Sequence, residues 1–262
     1  MFTEVCGRRI EFERLAPREP AVSRHTLVFL HEGLGSVSLW RDFPQQLADA
    51  TGLPGLVYSR YGHGQSEPLH EPRAPDYQHV EAQQALPELL GKLDIASPIL
   101  FGHSDGASIA LMYAALKGSP TAGLIVLAPH VKVEQITVDG IAAARETYRR
   151  GDLRQRLSRH HADVDSTFAG WSDIWLDPRF RDWNIEACLP HITCPILAIQ
   201  GREDEYGTLE QIRIISRLAP RVTRLELEEC GHSPHRDQPA AVLEASRLFV
   251  ESLIGEMRDI SD

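Results

Sequence analysis

The chain has 262 residues, 42% of them hydrophobic and 24% charged, and four cysteines; that is ordinary globular composition, with length enough for one large core in one principal domain. A formal net charge of −10 argues against binding to nucleic acid or to an anionic membrane surface, because attraction to phosphate needs clustered Lys and Arg. Cys6, Cys188, Cys194 and Cys230 lack CxxC spacing and fit reduced thiols better than a disulfide framework or a zinc site.

The segment from Met1 to Arg9 lacks the apolar core of a signal peptide, and no later apolar run reaches the length of a bilayer span, so a cytoplasmic location and no membrane partner are expected. Residues 2–15 read as an antiparallel entry hairpin. Beyond it, short β-branched apolar runs alternate with turns and longer amphipathic stretches, the pattern of parallel strands alternating with helices. Strands are expected over 26–31, 56–60, 98–102, 123–128, 195–201 and 222–228. Helices are expected over 40–50, 77–92, 104–116, 209–218 and 239–255.

Between residues 131 and 188 the strand signal disappears and a segment rich in Arg, Asp, His and Trp takes its place. It reads as a helical lid inserted after a strand, at the end of the sheet where open α/β folds bind ligands. The core is then 1–130 together with 189–262. The basic stretch from Arg145 to Arg159 is interleaved with acids and reads as a solvated helix face.

Gly102-His103-Ser104-Asp105-Gly106 matches G-x-S-x-G and lies between an apolar strand-like run and a helix-forming run. Strand, sharp turn and helix make a nucleophile elbow, in which small residues tolerate strained dihedrals and close backbone approach. The serine hydroxyl is held at the tip of the sheet, above the positive end of the helix.

A serine hydroxyl is a poor nucleophile at neutral pH and needs a base, and the base needs a third group to fix its tautomer. Among twelve histidines, His232 follows the last strand in Cys230-Gly231-His232-Ser233-Pro234, at the same rim as Ser104. Its rival His235 reads as a surface residue or a contact to the loop. Asp204 follows the strand over 195–201 at G-x-x-D spacing, whereas Glu203 and Glu205 are expected to face solvent or cap the next helix. The order Ser, Asp, His is that of the α/β-hydrolase arrangement. An oxyanion hole requires two N–H donors, assigned here to Asp105 and to Gly33 in His31-Glu32-Gly33-Leu34-Gly35.

With Tyr61-Gly62-His63-Gly64-Gln65-Ser66 similar to the loop written R-G-H-G-x-S, the whole chain resembles the α/β-hydrolase superfamily. The resemblance implies an α/β fold with a mostly parallel central sheet, helices on both faces and an inserted helical lid. It departs where the family loop begins His-Gly, since Glu32 follows His31 here. A carboxylate beside an oxyanion opposes it unless turned away or paired. Serine at the elbow argues against haloalkane dehalogenase or epoxide hydrolase chemistry, for which the resemblance would imply an aspartate nucleophile.

His130, Trp171, Trp175, Trp183 and His160 are candidates to face the substrate. His160-His161 with Asp163 and Asp165 only superficially suggests a metal cluster, because adjacent helical histidines diverge; no metal is assigned. The expected partner is a small-molecule substrate, a carboxylic ester or thioester with a small to medium, partly apolar acyl group. Its hydrolysis through an acyl-enzyme on Ser104 requires no cofactor. Carbon–carbon hydrolysis of a ring-cleavage product, a cofactor-free dioxygenase or haloperoxidase-like activity, and a non-catalytic ligand receptor on the same scaffold are the alternatives.

Overall fold

A computed structural model describes residues 1–258 of the chain. Eight strands form one sheet: β1 (Phe2–Val5), β2 (Arg8–Leu15), β3 (Thr26–Leu30), β4 (Gly55–Tyr58), β5 (Pro98–His103), β6 (Gly123–Leu127), β7 (Ile196–Gly201) and β8 (Val222–Leu227). Their spatial order is β1-β2-β4-β3-β5-β6-β7-β8. β1 and β2 pair antiparallel as the entry hairpin, β2 joins β4 antiparallel, and the six strands from β4 to β8 run parallel. The expected strands are therefore all present, with ends shifted by a residue or two.

The central strands are apolar at successive positions because both faces of the sheet are covered. Val28 and Leu30 face a cluster with Leu86, Ile109 and Ile215, while Leu27 and Phe29 face Trp40, Leu47 and Val250. α1 (Phe43–Thr51) and α10 (Pro239–Arg258) flank the second face. On the first lie α2 (Tyr77–Val80) and α3 (Leu86–Lys92), which are joined through a π turn at Glu81–Ala85, together with α4 (Asp105–Ala114) and α8 (Glu210–Leu218). α9 (Pro234–Asp237) follows β8. None of the helices among the described residues is long and apolar enough to cross a membrane.

Between β6 and β7 the chain forms α5 (Gln135–Arg150), α6 (Leu153–Leu157) and α7 (Val164–Leu176), then 3₁₀ turns at Pro178–Phe180 and Glu186–His191. Asp163 caps α7 by accepting from the Ser166 N–H at 3.0 Å. An isolated antiparallel bridge between Lys132 and Asn184 ties the two ends of this helical segment together, and Ile185 N–H donates to the Val131 carbonyl at 2.8 Å.

Candidate active site

Ser104 sits between β5 and α4 with φ 52° and ψ −116°, a region that non-glycine residues rarely occupy. Its N–H donates to Leu127 O at 2.9 Å. A Cβ on Gly102 would lie 2.6 Å from Ala107 Cα, and one on Gly106 would lie 2.1 Å from Leu30 O. These contacts are with backbone, so glycine is what lets the turn pack against β3 and its own helix.

Ser104 Oγ lies 2.9 Å from His232 Nε2, and His232 Nδ1 lies 2.8 Å from Asp204 Oδ1. The three residues come from the ends of β5, β7 and β8. Asp204 Oδ1 also accepts the N–H groups of Tyr206 at 2.9 Å and Gly207 at 3.2 Å, and Oδ2 accepts from Gln200 Nε2 at 3.0 Å. Burial works against the carboxylate, but His232 and the Tyr206 N–H outweigh it and hold Asp204 below its ordinary pKa. Burial likewise opposes the imidazolium of His232, yet the charge and hydrogen bond of Asp204, with Glu205 and Glu32 behind it, raise it above the ordinary histidine value.

Glu203 and Glu205 are exposed, as expected, and they also hold the neighbouring loop: Glu203 Oε2 accepts from the Cys230 N–H at 2.9 Å and Glu205 Oε2 from the His232 N–H at 3.2 Å. Both brace the loop that carries His232. His235, expected at the surface or on the loop, is instead buried; it is 3% exposed and packs on Trp40 and Phe43 with ring centroids 4.9 and 5.7 Å away. Burial, and then the neighbouring His103, push its pKa well down.

The loop after β3 is ordered by groups far away in sequence. Glu32 O accepts from His31 Nδ1 at 2.7 Å, from Arg60 Nη2 at 3.1 Å and from the Gly35 N–H at 3.1 Å. His31 Nε2 accepts the Arg60 N–H at 3.0 Å, so the His31 proton sits on Nδ1. No peptide bond among the described residues is cis, so the Gly33 N–H points opposite the Glu32 carbonyl, away from those three donors. His63 Nε2 in turn holds Gly33 O at 3.0 Å. Asp105 is the first residue of α4, where an N–H has no acceptor within the helix. Its carboxylate is occupied by Tyr77 Oη at 2.7 Å and Trp175 Nε1 at 3.2 Å.

Glu32 is paired. One oxygen lies 3.5 Å from His103 Nδ1 and the other 3.5 Å from Arg236 Nη2. Burial would raise its pKa, but these partners hold it well below the usual carboxylate range.

Ser104, His232, Asp105 and Gly33 line one cavity of about 230 Å³, together with Glu32, Leu34, Leu39, His130, Ser233 and Arg236. The helical segment contributes Thr137, Ile141, Leu157, Trp171 and Trp175 to the same wall. His130, Trp171 and Trp175 thus reach the cavity as expected. Trp183 does not; it stacks on Phe180 at 5.4 Å. His160 does not line it either and is bonded to Ser38 Oγ at 2.9 Å. His130 is 2% exposed, its Nδ1 has no partner, and burial lowers its pKa to about 4. His161 is engaged with the Gly64 N–H and Leu34 O, and Asp165 with Arg154 and Tyr148. No group of three metal-ligating side chains occurs among the described residues.

Sequence reasoning missed Arg60, Tyr77 and Gln200, which hold the site from behind. Arg60 stands beside the recognised Tyr61–Ser66 loop, and a cation at the end of an apolar strand was the available signal.

The sequence model of the alpha/beta hydrolase family matches residues 27–245. A relative from Mus musculus, described as sn-1-specific diacylglycerol lipase ABHD11, is 22% identical over 256 residues, covering 86% of this chain and 80% of its own. Among solved structures, proline iminopeptidase from Mycobacterium smegmatis superposes with a TM-score of 0.76 at 17% identity, over 97% of this chain and 98% of that one. The enol-lactonase from Burkholderia xenovorans LB400 gives 0.73 at 18% identity, over 97% and 100%.

Proposed function

The chain belongs to the α/β-hydrolase family, and from that premise we propose that it is a serine hydrolase cleaving a carboxylic ester or thioester through an acyl-enzyme on Ser104. The observation that carries this reading is the unbroken hydrogen-bonded chain from Ser104 Oγ through His232 to Asp204. His232 takes the Ser104 proton as Oγ attacks the substrate carbonyl carbon. The oxyanion is received by the N–H groups of Gly33 and Asp105 at the positive end of α4. His232 then delivers the proton to the leaving oxygen or sulfur, the acyl-enzyme forms, and water activated by the same imidazole releases the acid.

The helical segment over 131–188 acts as the lid. Thr137, Ile141, Leu157, Trp171 and Trp175 give the cavity an apolar wall, which suits an acyl group of small to medium size. Pairing with Arg236 offsets the Glu32 charge beside the oxyanion.

The test is turnover of a panel of short-chain and aryl esters and thioesters by the wild type and by Ser104→Ala. Hydrolysis by the wild type that Ser104→Ala abolishes is expected. Equal rates in the two proteins would overturn the reading.

A further inference from the structure

In the stretch from Arg145 to Arg159, most guanidiniums are neutralised by a carboxylate: Arg145 by Asp173, Arg150 by Glu146, Arg154 by Asp165 and Arg156 by Asp152. Arg149 and Arg159 are not. Arg159 is exposed and, among the described residues, has no carboxylate within ion-pair distance; the same holds for Arg41. In a chain of net charge −10, two unneutralised cations brought together from distant segments call for an explanation.

Three contacts bring the segments that carry them together beside the Ser104 cavity. His160, next to Arg159, bonds Ser38 Oγ at 2.9 Å; the Arg41 N–H closes a turn on Ser38 O at 3.4 Å; and Arg236 Nη2 donates to Leu39 O at 2.9 Å. Leu39, Leu157 and Arg236 themselves line the cavity. Burial, and then the charges of Arg41, Arg159 and Arg236, lower the His160 pKa. Arg41 is held at φ 56°, a conformation that persists only where surrounding structure imposes it. Of the nearby acids, Glu32 pairs with Arg236 and Asp42 accepts from Gln46 Nε2 at 2.6 Å, which leaves Arg41 and Arg159 without a carboxylate partner among the described residues.

We propose that Arg41 and Arg159, beside the Glu32-paired Arg236, form a binding site for the phosphate of the substrate's leaving group, so that the protein cleaves acyl esters or thioesters of a phosphate-bearing thiol or alcohol such as coenzyme A. This rests on the serine-hydrolase reading. Guanidinium forks match phosphate oxygens in charge and geometry. The apolar lid wall receives the acyl group and the basic cluster receives the other half. In the acylation step the carbonyl C–S or C–O bond breaks as the C–Oγ bond forms, and the leaving group departs with the proton from His232.

The experiment uses the full chain and compares one acyl group presented on coenzyme A and on N-acetylcysteamine. A wild-type kcat/KM preference for the coenzyme A thioester of about ten-fold or more is expected, shrinking as salt is raised. In Arg41→Ser/Arg159→Ser the ratio of the two kcat/KM values, each measured within that variant, is expected to fall toward one, while Arg41→Lys/Arg159→Lys retains part of it. A wild-type ratio near one, or an unchanged ratio in the serine variant, would overturn the proposal.

A parallel readout is protection of Ser104 from a fluorophosphonate probe by coenzyme A. Labelling that coenzyme A does not slow sinks the phosphate site alone, whereas absence of labelling sinks the serine-hydrolase reading. Arginine-dependent turnover of 1-acyl-glycerol 3-phosphate without turnover of the coenzyme A thioester keeps the phosphate site and places its source in a lipid headgroup.

Discussion

Arg60 Nη2 donates to the Glu32 carbonyl oxygen at 3.1 Å, and through the planar peptide this contact sets the direction of the Gly33 N–H. Arg60 is 1% exposed and also bonds the His31 carbonyl. Arg60→Met removes both contacts and is expected to lower kcat more than it raises KM. The loss should approach, without exceeding, the roughly 100-fold to 1,000-fold cost of one oxyanion donor. Steady-state kinetics on variant protein with a cooperative thermal melt checks this, and a change confined to KM counts against the positioning role.

Two glycines separate packing from function. A methyl on Gly106 would meet Leu30 O at 2.1 Å and His31 O at 2.7 Å, backbone atoms with nowhere to go. Gly106→Ala is therefore expected to cost about 3 kcal/mol or more of stability. A methyl on Gly33 would meet Trp171 Cδ1 at 2.2 Å, a side chain at the cavity wall. Gly33→Ala is expected to keep most of the melting temperature and to shift Trp171 fluorescence and KM. Thermal melts of the two variants side by side decide the matter.

The raised pKa of His232 dictates the acidic limb of activity. The base works only when neutral, so kcat/KM falls as pH drops through a value above the ordinary 6.5 or so. Asp204→Asn removes the charge responsible and moves that limb to lower pH, while the rate falls by roughly 10⁴-fold. A pH–rate profile in which the limb stays in place would show that Asp204 does not set the His232 pKa.

Stability has its own pH dependence. Burial holds His31, His63 and His235 well below the ordinary histidine pKa and His130 at about 4. The unfolded chain takes up those protons below about pH 6.5, whereas the folded chain does not, so stability is lost as pH falls through that range. His232 acts oppositely: its contribution is present below about pH 6.5 and is lost as pH rises through its raised folded pKa. Four groups outweigh one, and the melting temperature should fall between pH 7 and pH 5. His235, with neither ring nitrogen partnered, is the clearest case; His235→Leu is expected to raise the melting temperature more at pH 5.5 than at pH 8.

The residues that the sequence revealed are those tied to local pattern. Ser104 lies in a strand-turn-helix with glycine on both sides, and Asp204 and His232 directly follow apolar runs, so each is placed by its own segment. Contacts between segments were not legible. Arg60 reaches back to His31 and Glu32, and Trp175 reaches across to Asp105; no periodicity records such pairings. Glu203 and Glu205 are exposed as expected, but the N–H groups they accept from, those of Cys230 and His232, arrive from the loop after β8. Trp183 looked like a substrate contact because composition alone does not show which face of an aromatic cluster is turned inward.

Peptide mass spectrometry of the purified protein after treatment with a fluorophosphonate probe tests the central claim most directly. The account predicts one adduct, on the peptide carrying Ser104, absent from Ser104→Ala and much reduced in a His232→Ala variant. An unmodified Ser104, or labelling that persists at another serine in Ser104→Ala with activity intact, would contradict it.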